Sequence, residues 1–143
     1  LDSLNDSQNV GSIIRTAFLF GIKTIIFNRD NSFEINPFLI KAASGAFEKI
    51  KIIKVTNIIR TIEALKKKGF WSVGLDVKSN DNLKTVPREI KKIFNFGSEG
   101  KGIRPLILKN CDFKVKIKLP IKDQFIDSLN VSNSVCLVLY KCI

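Results

Sequence analysis

The sequence contains no histidine, and this absence excludes several common kinds of active site. Ser–His and Cys–His arrangements need an imidazole, and most zinc sites use His or paired Cys ligands. The three cysteines, Cys111, Cys136 and Cys142, form no C-x-x-C pair, and their odd number argues against a disulfide framework. We therefore expect no metal site, buried thiols in a reducing compartment, and catalysis by Arg, Lys, Asp, Glu, Ser, Asn or the backbone.

Long apolar runs and methionine are absent as well. No stretch approaches the ~18–20 apolar residues that cross a bilayer, and no signal-peptide pattern follows Leu1. The sequence thus predicts a cytoplasmic protein without a membrane partner. Because the chain lacks Met and opens on Leu1, we expect residues 1–143 to be one domain of a longer protein.

The charged residues are mostly positive, with 24 Lys and Arg against 13 Asp and Glu. The formal net charge is +11, which favours a polyanionic partner such as nucleic acid. Nineteen of the 24 cations are Lys, however, in a chain rich in Lys, Asn and Ile throughout, so charge alone leaves this question open. The five arginines are more informative, because the planar guanidinium group can grip a phosphate with two hydrogen bonds.

Helix and strand patterns alternate along the chain. Asn36 and Pro37 are a typical cap and first residue of a helix, and Gly21 and Gly69 are typical of positions just past a helix end. The periodicity predicts helices near residues 9–20, 36–47, 56–69, 104–110 and 128–141, and strands at 23–27, 51–55, 71–77, 91–96 and 113–119. This order predicts an α/β fold: a mostly parallel sheet with helices on both faces.

A glycine-rich loop follows the fourth predicted strand, in "FNFGSEGKGIRP", residues 94–105. Gly97, Gly100 and Gly102 flank Glu99, which suits a backbone in close contact with another group. The spacing fits neither the phosphate-loop nor the dinucleotide-binding pattern, so a nucleotide-dependent enzyme is disfavoured. Ligands of parallel sheets bind beyond the carboxyl ends of strands, where this loop lies. Taken alone, it is equally compatible with a tight surface turn.

Two further polar stretches interrupt apolar helices. In "NVGSIIR", Arg15 stands in an otherwise apolar helix, where it needs a partner or a function. In "DSLNVSNSV", residues 127–135, Ser128 and Asn130 open the last helix. A salt bridge at the helix edge explains the first stretch equally well, and ordinary N-capping explains the second.

Together and in this order, the three stretches resemble the motifs of one family. "NVGSIIRTAFLFG", "FNFGSEGKGI" and "IKLPIKDQFIDSLNVSNSV" are similar to those of the SpoU-type RNA ribose 2′-O-methyltransferases of the SPOUT superfamily, as is "KAASGAFEKIKIIKVTNI" between them. The resemblance implies S-adenosylmethionine as cofactor, a C-terminal deep trefoil knot and a homodimer. It also implies structured RNA as substrate, with a guanosine of large-subunit rRNA first and tRNA second. A further RNA-binding region is expected before Leu1.

The resemblance also implies site residues. The cofactor pocket should be lined mainly by main-chain atoms of Leu75, Gly97, Gly100, Gly102, Leu119 and Leu129. The catalytic polar positions match Arg15, Asn9, Glu99, Ser128 and Asn130. Arg15 would hold the ribose hydroxyl and its phosphate, Glu99 would orient Arg15 or a loop amide, and Ser128 would cap the last helix while facing the site.

One motif departs from the family pattern. "LPIKDQFIDSLN" has Ile121 in place of Met, no glycine and one added residue. Since this loop borders the cofactor in the family, a second hypothesis is a non-catalytic knotted protein that binds RNA or assists assembly.

Overall fold

The computed structural model describes residues 1–30, 33–121 and 128–143. Within these residues the helices are α1 (Ser7–Leu19), α2 (Pro37–Ala43), α3 (Ile58–Lys66), α4 (Pro105–Lys109) and α5 (Val131–Cys142). The strands are β1 (Thr24–Asn28), β2 (Lys51–Val55), β3 (Phe70–Leu75), β4 (Lys91–Asn95) and β5 (Phe113–Val115). Each predicted element is present, although β5 ends four residues earlier than predicted.

The described strands pair in parallel, as the alternation predicted, but they form two sheets instead of one. β1 pairs with β2, and β3 lies between β4 and β5. The segment Leu1–Asp2 lies between the two sheets: the Leu1 amine donates to the Ile26 carbonyl at 2.6 Å, and the Asp2 N–H donates to the Phe96 carbonyl at 2.8 Å. These two backbone bonds join the sheets without forming a strand.

Side-chain caps explain where the helices begin. Asp6 accepts from the Asn9 N–H and starts α1, and Asn36 accepts from the Leu39 N–H ahead of Pro37, as predicted. Each cap satisfies a backbone donor that has no partner within the helix. The Asp6 cap therefore sets the position of Asn9 in the first turn of α1.

The core forms where α1 packs between α2 and α5. Val10, Ile13 and Ile14 of α1 are fully buried there. Gly11 permits the close approach of α2, because a Cβ atom at that position would lie 2.5 Å from the Leu39 carbonyl oxygen. α1 is thus held in place by α2 on one side and α5 on the other.

The trefoil knot stays a prediction, because the third-motif loop that would form it includes residues 122–127, which lie outside the described residues. None of the helices in the described ranges is both long and apolar enough to cross a membrane.

Candidate functional site

A cleft of about 510 Å³ opens at the carboxyl ends of β3 and β4, beside the chain that leaves β5. This volume is in the range of small-molecule sites, roughly 300–1,000 Å³. The cleft is lined by all six residues that the resemblance assigned to the cofactor, Leu75, Gly97, Gly100, Gly102, Leu119 and Leu129. Residues spread over 55 positions of sequence are therefore brought to one cavity.

The glycine loop is a tight turn that closes on itself. The Gly102 N–H donates to the Ser98 carbonyl at 2.8 Å. A Cβ atom at Gly97 would overlap the Gly102 carbonyl group, and Gly102 has a φ of +66°, which side chains disfavour. A Cβ at Gly100 would meet no atom within 4 Å. The conformation of the turn therefore requires Gly97 and Gly102, whereas nothing in the turn itself requires glycine at position 100.

A cluster of three side chains joins the predicted motifs. The Asn130 side-chain amide donates to Glu99 Oε1 at 2.6 Å and to Asn9 Oδ1 at 2.8 Å. The Asn9 amide donates to the same Glu99 oxygen at 3.3 Å, as does the Val131 N–H. Since Asn9 begins α1, Glu99 lies in the glycine loop and Asn130 precedes α5, this cluster fixes the three elements relative to one another.

These contacts correct two predicted roles. Glu99 orients Asn9, Asn130 and the start of α5, and makes no hydrogen bond to Arg15 or to a glycine-loop amide within the described ranges. The cap of α5 is Asn130, whose Oδ1 accepts from the Ser132 N–H at 2.9 Å, and Ser128 is not the cap. Ser128 is exposed and lines the cleft, and its role in the site stays a prediction.

Arg15 lies apart from this cluster. Its side chain is exposed on α1, and it does not line the cleft. Across residues 1–30, 33–121 and 128–143 it forms neither a hydrogen bond nor a salt bridge. The interpretation of Arg15 as a structural ion pair therefore finds no support in this part of the chain.

The structure adds polar residues to the cleft that the sequence analysis missed. Asp76, Lys101 and Lys116 line it, and the Asp76 carboxylate accepts from the Lys78 N–H at 3.0 Å. Asp76 directly follows the last residue of β3. The rule that ligands bind beyond the carboxyl ends of parallel strands would have been enough to find it.

The cysteines lie outside the cleft lining. Cys111 and Cys142 are buried, as expected, whereas Cys136 is exposed, contrary to that expectation. Burial raises the pKa of the Cys111 thiol and of the Cys142 thiol. The described residues contain no group of three or more His, Cys, Asp or Glu side chains arranged to hold a metal ion.

Parallel strands, a cleft at their carboxyl ends and a glycine loop held by polar side chains define an α/β ligand-binding domain. More specifically, the chain belongs to the SpoU rRNA Methylase family, whose model matches residues 1–140. This match confirms the resemblance of the three motifs.

The curated relatives include two TrmH-family proteins named as tRNA/rRNA methyltransferases. YacO of Bacillus subtilis (strain 168) is 35% identical over 141 residues, which cover 99% of this chain and 55% of YacO. A protein of Staphylococcus aureus (strain COL) is 34% identical, over 99% of this chain and 56% of its own length. The chain thus spans about half the length of these relatives.

A solved structure shows the same fold. The SpoU methyltransferase AviRb from Streptomyces viridochromogenes, in complex with AdoMet (S-adenosylmethionine), superposes with a TM-score of 0.87 at 22% identity. The match covers 99% of this chain and 54% of AviRb. The predicted α/β fold with parallel strands is therefore confirmed.

Proposed function

We propose that this chain transfers a methyl group from S-adenosylmethionine to a ribose 2′-hydroxyl of structured RNA. The observation that carries the proposal is the cleft, which collects the six predicted cofactor residues and also Glu99 and Ser128. These residues come from the second motif, from the third motif and from the end of β3. Family membership supports the same reaction class.

The cleft fits the proposed cofactor in size and in the chemistry of its lining. Leu75, Leu119 and Leu129 supply apolar walls, and the open space over Gly100 leaves its backbone accessible. Asp76 adds a carboxylate that can accept hydrogen bonds from hydroxyl or ammonium groups. When bound, S-adenosylmethionine supplies an electrophilic methyl group on a sulfonium centre.

The protein then has to align the ribose hydroxyl and stabilise its developing negative charge. We assign this role to Arg15, because its exposed guanidinium has no other partner in the part of the chain that the structure describes. Free guanidinium has a pKa above ~12, which makes it a poor base, so Arg15 acts as a clamp on the phosphate and hydroxyl. The Asn9–Glu99–Asn130 cluster keeps α1 at a fixed distance from the cleft.

The proposed substrate is a guanosine of large-subunit rRNA, with tRNA as the second candidate. The net charge of +11 favours a polyanion, and the relatives carry names that include both RNA classes. We also propose a cytoplasmic homodimer whose grip on RNA depends partly on an RNA-binding region outside residues 1–143. On this proposal the 143-residue chain binds S-adenosylmethionine but methylates RNA slowly.

The test is to incubate the protein with methyl-labelled S-adenosylmethionine and total RNA, and then to map the labelled nucleotide. A 2′-O-methylated ribose leaves the adjacent phosphodiester resistant to alkali, which distinguishes ribose from base methylation. Cofactor binding without transfer to any RNA, in a polypeptide of the relatives' length, would favour the non-catalytic hypothesis. Base methylation would contradict the proposed acceptor, and failure to bind S-adenosylmethionine would contradict the function itself.

A further inference from the structure

Asp2 is a buried carboxylate that holds both ends of the glycine loop. It is 3% exposed, and its N–H donates to the Phe96 carbonyl at 2.8 Å, directly before Gly97. Its carboxylate accepts from the Arg104 N–H at 3.2 Å, just after the loop ends. One residue thus binds the chain entering the loop and the chain leaving it.

The side chain of Arg104 strengthens this closure. Arg104 Nε lies 2.9 and 3.0 Å from the two carboxylate oxygens of Asp2, and a terminal guanidinium nitrogen lies 2.7 Å from Oδ1. Charged hydrogen bonds with this fork geometry are stronger and more directional than neutral ones. Breaking the pair would leave the Asp2 charge buried without its partner.

The position of Asp2 also couples the loop to α1. Asp2 precedes α1 by a few residues, and Asn9 in the first turn of α1 contacts Glu99 in the middle of the loop. Residues 2–9 therefore contact the loop at three points: Asp2 binds the chain at its start and at its end, and Asn9 contacts its middle. The hydrogen bond between the Gly102 N–H and the Ser98 carbonyl closes the loop on itself. The contacts from Asp2 and Asn9 can therefore position the whole loop.

We propose that Asp2, acting through Arg104, is a positioning residue that sets the glycine loop for S-adenosylmethionine. This inference rests on the proposed function, because it takes the cleft to be the cofactor site. Asp2 does not line the cleft, so its effect is transmitted by the loop.

The experiment compares Asp2→Asn, Arg104→Gln and the double variant by calorimetric titration with S-adenosylmethionine. Each single variant should weaken binding by about tenfold, and the double variant should be no weaker than either one, because both remove the same interaction. Arg104→Lys, which keeps the charge but loses the fork, should recover part of the affinity. The KM for S-adenosylmethionine should rise while the kcat at saturation stays within about twofold of wild type.

A matched control is Asp112→Asn. Asp112 forms the other described ion pair, at 2.6 Å to Lys66, and also accepts from the Ser72 N–H. It precedes β5, at the opposite end of the strands from the cleft. Asp112→Asn should lower the melting temperature without changing cofactor affinity, so stability and positioning are measured separately.

Limited digestion with a lysine-specific protease gives a readout that does not need cofactor. Lys101 lies in the loop, and cleavage after it should be faster in Asp2→Asn and Arg104→Gln than in Asp112→Asn at a temperature where all three are folded. If wild type binds no S-adenosylmethionine, the proposed function fails, yet faster cleavage would still support Asp2 as the residue that holds the loop. Unchanged cleavage, or additive losses of affinity, would overturn the inference.

Discussion

The side-chain amide of Asn130 donates to Glu99 Oε1 at 2.6 Å, and its oxygen caps α5 through the Ser132 N–H. These two roles fix the orientation of the amide, because the capping atom must be an acceptor and the atom facing Glu99 must be a donor. One residue therefore ties the glycine loop to the start of the last helix.

Asn130→Asp tests this relationship. Aspartate is as good a cap as asparagine, so α5 should still form. The second carboxylate oxygen of the new aspartate, however, would face the Glu99 carboxylate. It would repel that charge and could not donate the hydrogen bond that the Asn130 amide makes. We expect the melting temperature to fall and S-adenosylmethionine affinity to drop by about tenfold, measured by calorimetry. Ser132→Ala is the control: it keeps the donor to Glu99 and should bind cofactor like wild type. Equal affinities for Asn130→Asp and wild type would contradict this role.

Arg15→Ala separates a role in catalysis from one in stability. Because Arg15 is exposed and unpaired within the described ranges, its removal should change the free energy of unfolding by less than about 0.5 kcal/mol. Turnover should fall by about 10²–10³-fold, as expected for one charge-stabilising donor, with cofactor affinity almost unchanged. Arg15→Lys should recover little activity, since it lacks the guanidinium fork. Single-turnover methylation within about threefold of wild type would remove Arg15 from the mechanism.

Two glycines in one loop should respond differently to a methyl group. Gly97→Ala places a Cβ against the Gly102 carbonyl group, so we expect a loss of about 1–3 kcal/mol in unfolding free energy and disrupted cofactor binding. Gly100→Ala meets no atom within 4 Å and should melt like wild type. If Gly100→Ala nevertheless binds S-adenosylmethionine more weakly, the added methyl group must contact the bound cofactor. Equal melting temperatures for the two variants would show that the turn tolerates a side chain at Gly97.

The three thiols should differ in reactivity toward a thiol reagent at about pH 8. Burial raises the pKa of Cys111 and of Cys142, so less of either is thiolate at a given pH than of an ordinary cysteine. Cys136 is exposed. We expect Cys111 and Cys142 to react only at higher pH or after unfolding. Cys136 should react faster than either, and fastest when the proposed dimer is dissociated, because it lies one turn before Tyr140 on α5. Rapid reaction of two thiols in folded Cys136→Ser would contradict the buried positions.

Apolar side chains on α5 favour self-association. Leu137 and Tyr140 are 42% and 73% exposed, and Ile143 directly after α5 is 51% exposed. Exposed apolar surface of this kind is typical of an interface. We expect a dimer at micromolar concentration by sedimentation, and Tyr140→Glu should dissociate it. Trp71→Glu, which changes an exposed residue of β3, is the control and should remain dimeric. A wild-type monomer would contradict the proposed homodimer.

Much of the fold follows from local sequence. The Asn36–Pro37 start of α2 and Gly21 after α1 were predicted, because caps and left-handed turns depend only on residues a few positions away. The six residues that the family resemblance assigned to the cofactor line one cleft, and their contact with the cofactor stays a prediction. β5 was predicted too long, since alternating apolar residues continue past Val115 although the pairing with β3 ends there.

The contacts that organise the site were decided by the tertiary structure. Asp2 meets Arg104 across 102 positions of sequence, and Asn130 meets Asn9 across 121. The sequence analysis allowed either Ser128 or Asn130 as the cap of α5 and paired Glu99 with Arg15 or with a loop amide, because nothing local distinguishes one polar partner from another. Only the order of the strands and the packing of α1 between α2 and α5 bring these side chains within hydrogen-bond distance. Local sequence thus determined the elements and the candidate residues. The partners were set by long-range packing, because hydrogen bonds form only where the fold brings donor and acceptor together.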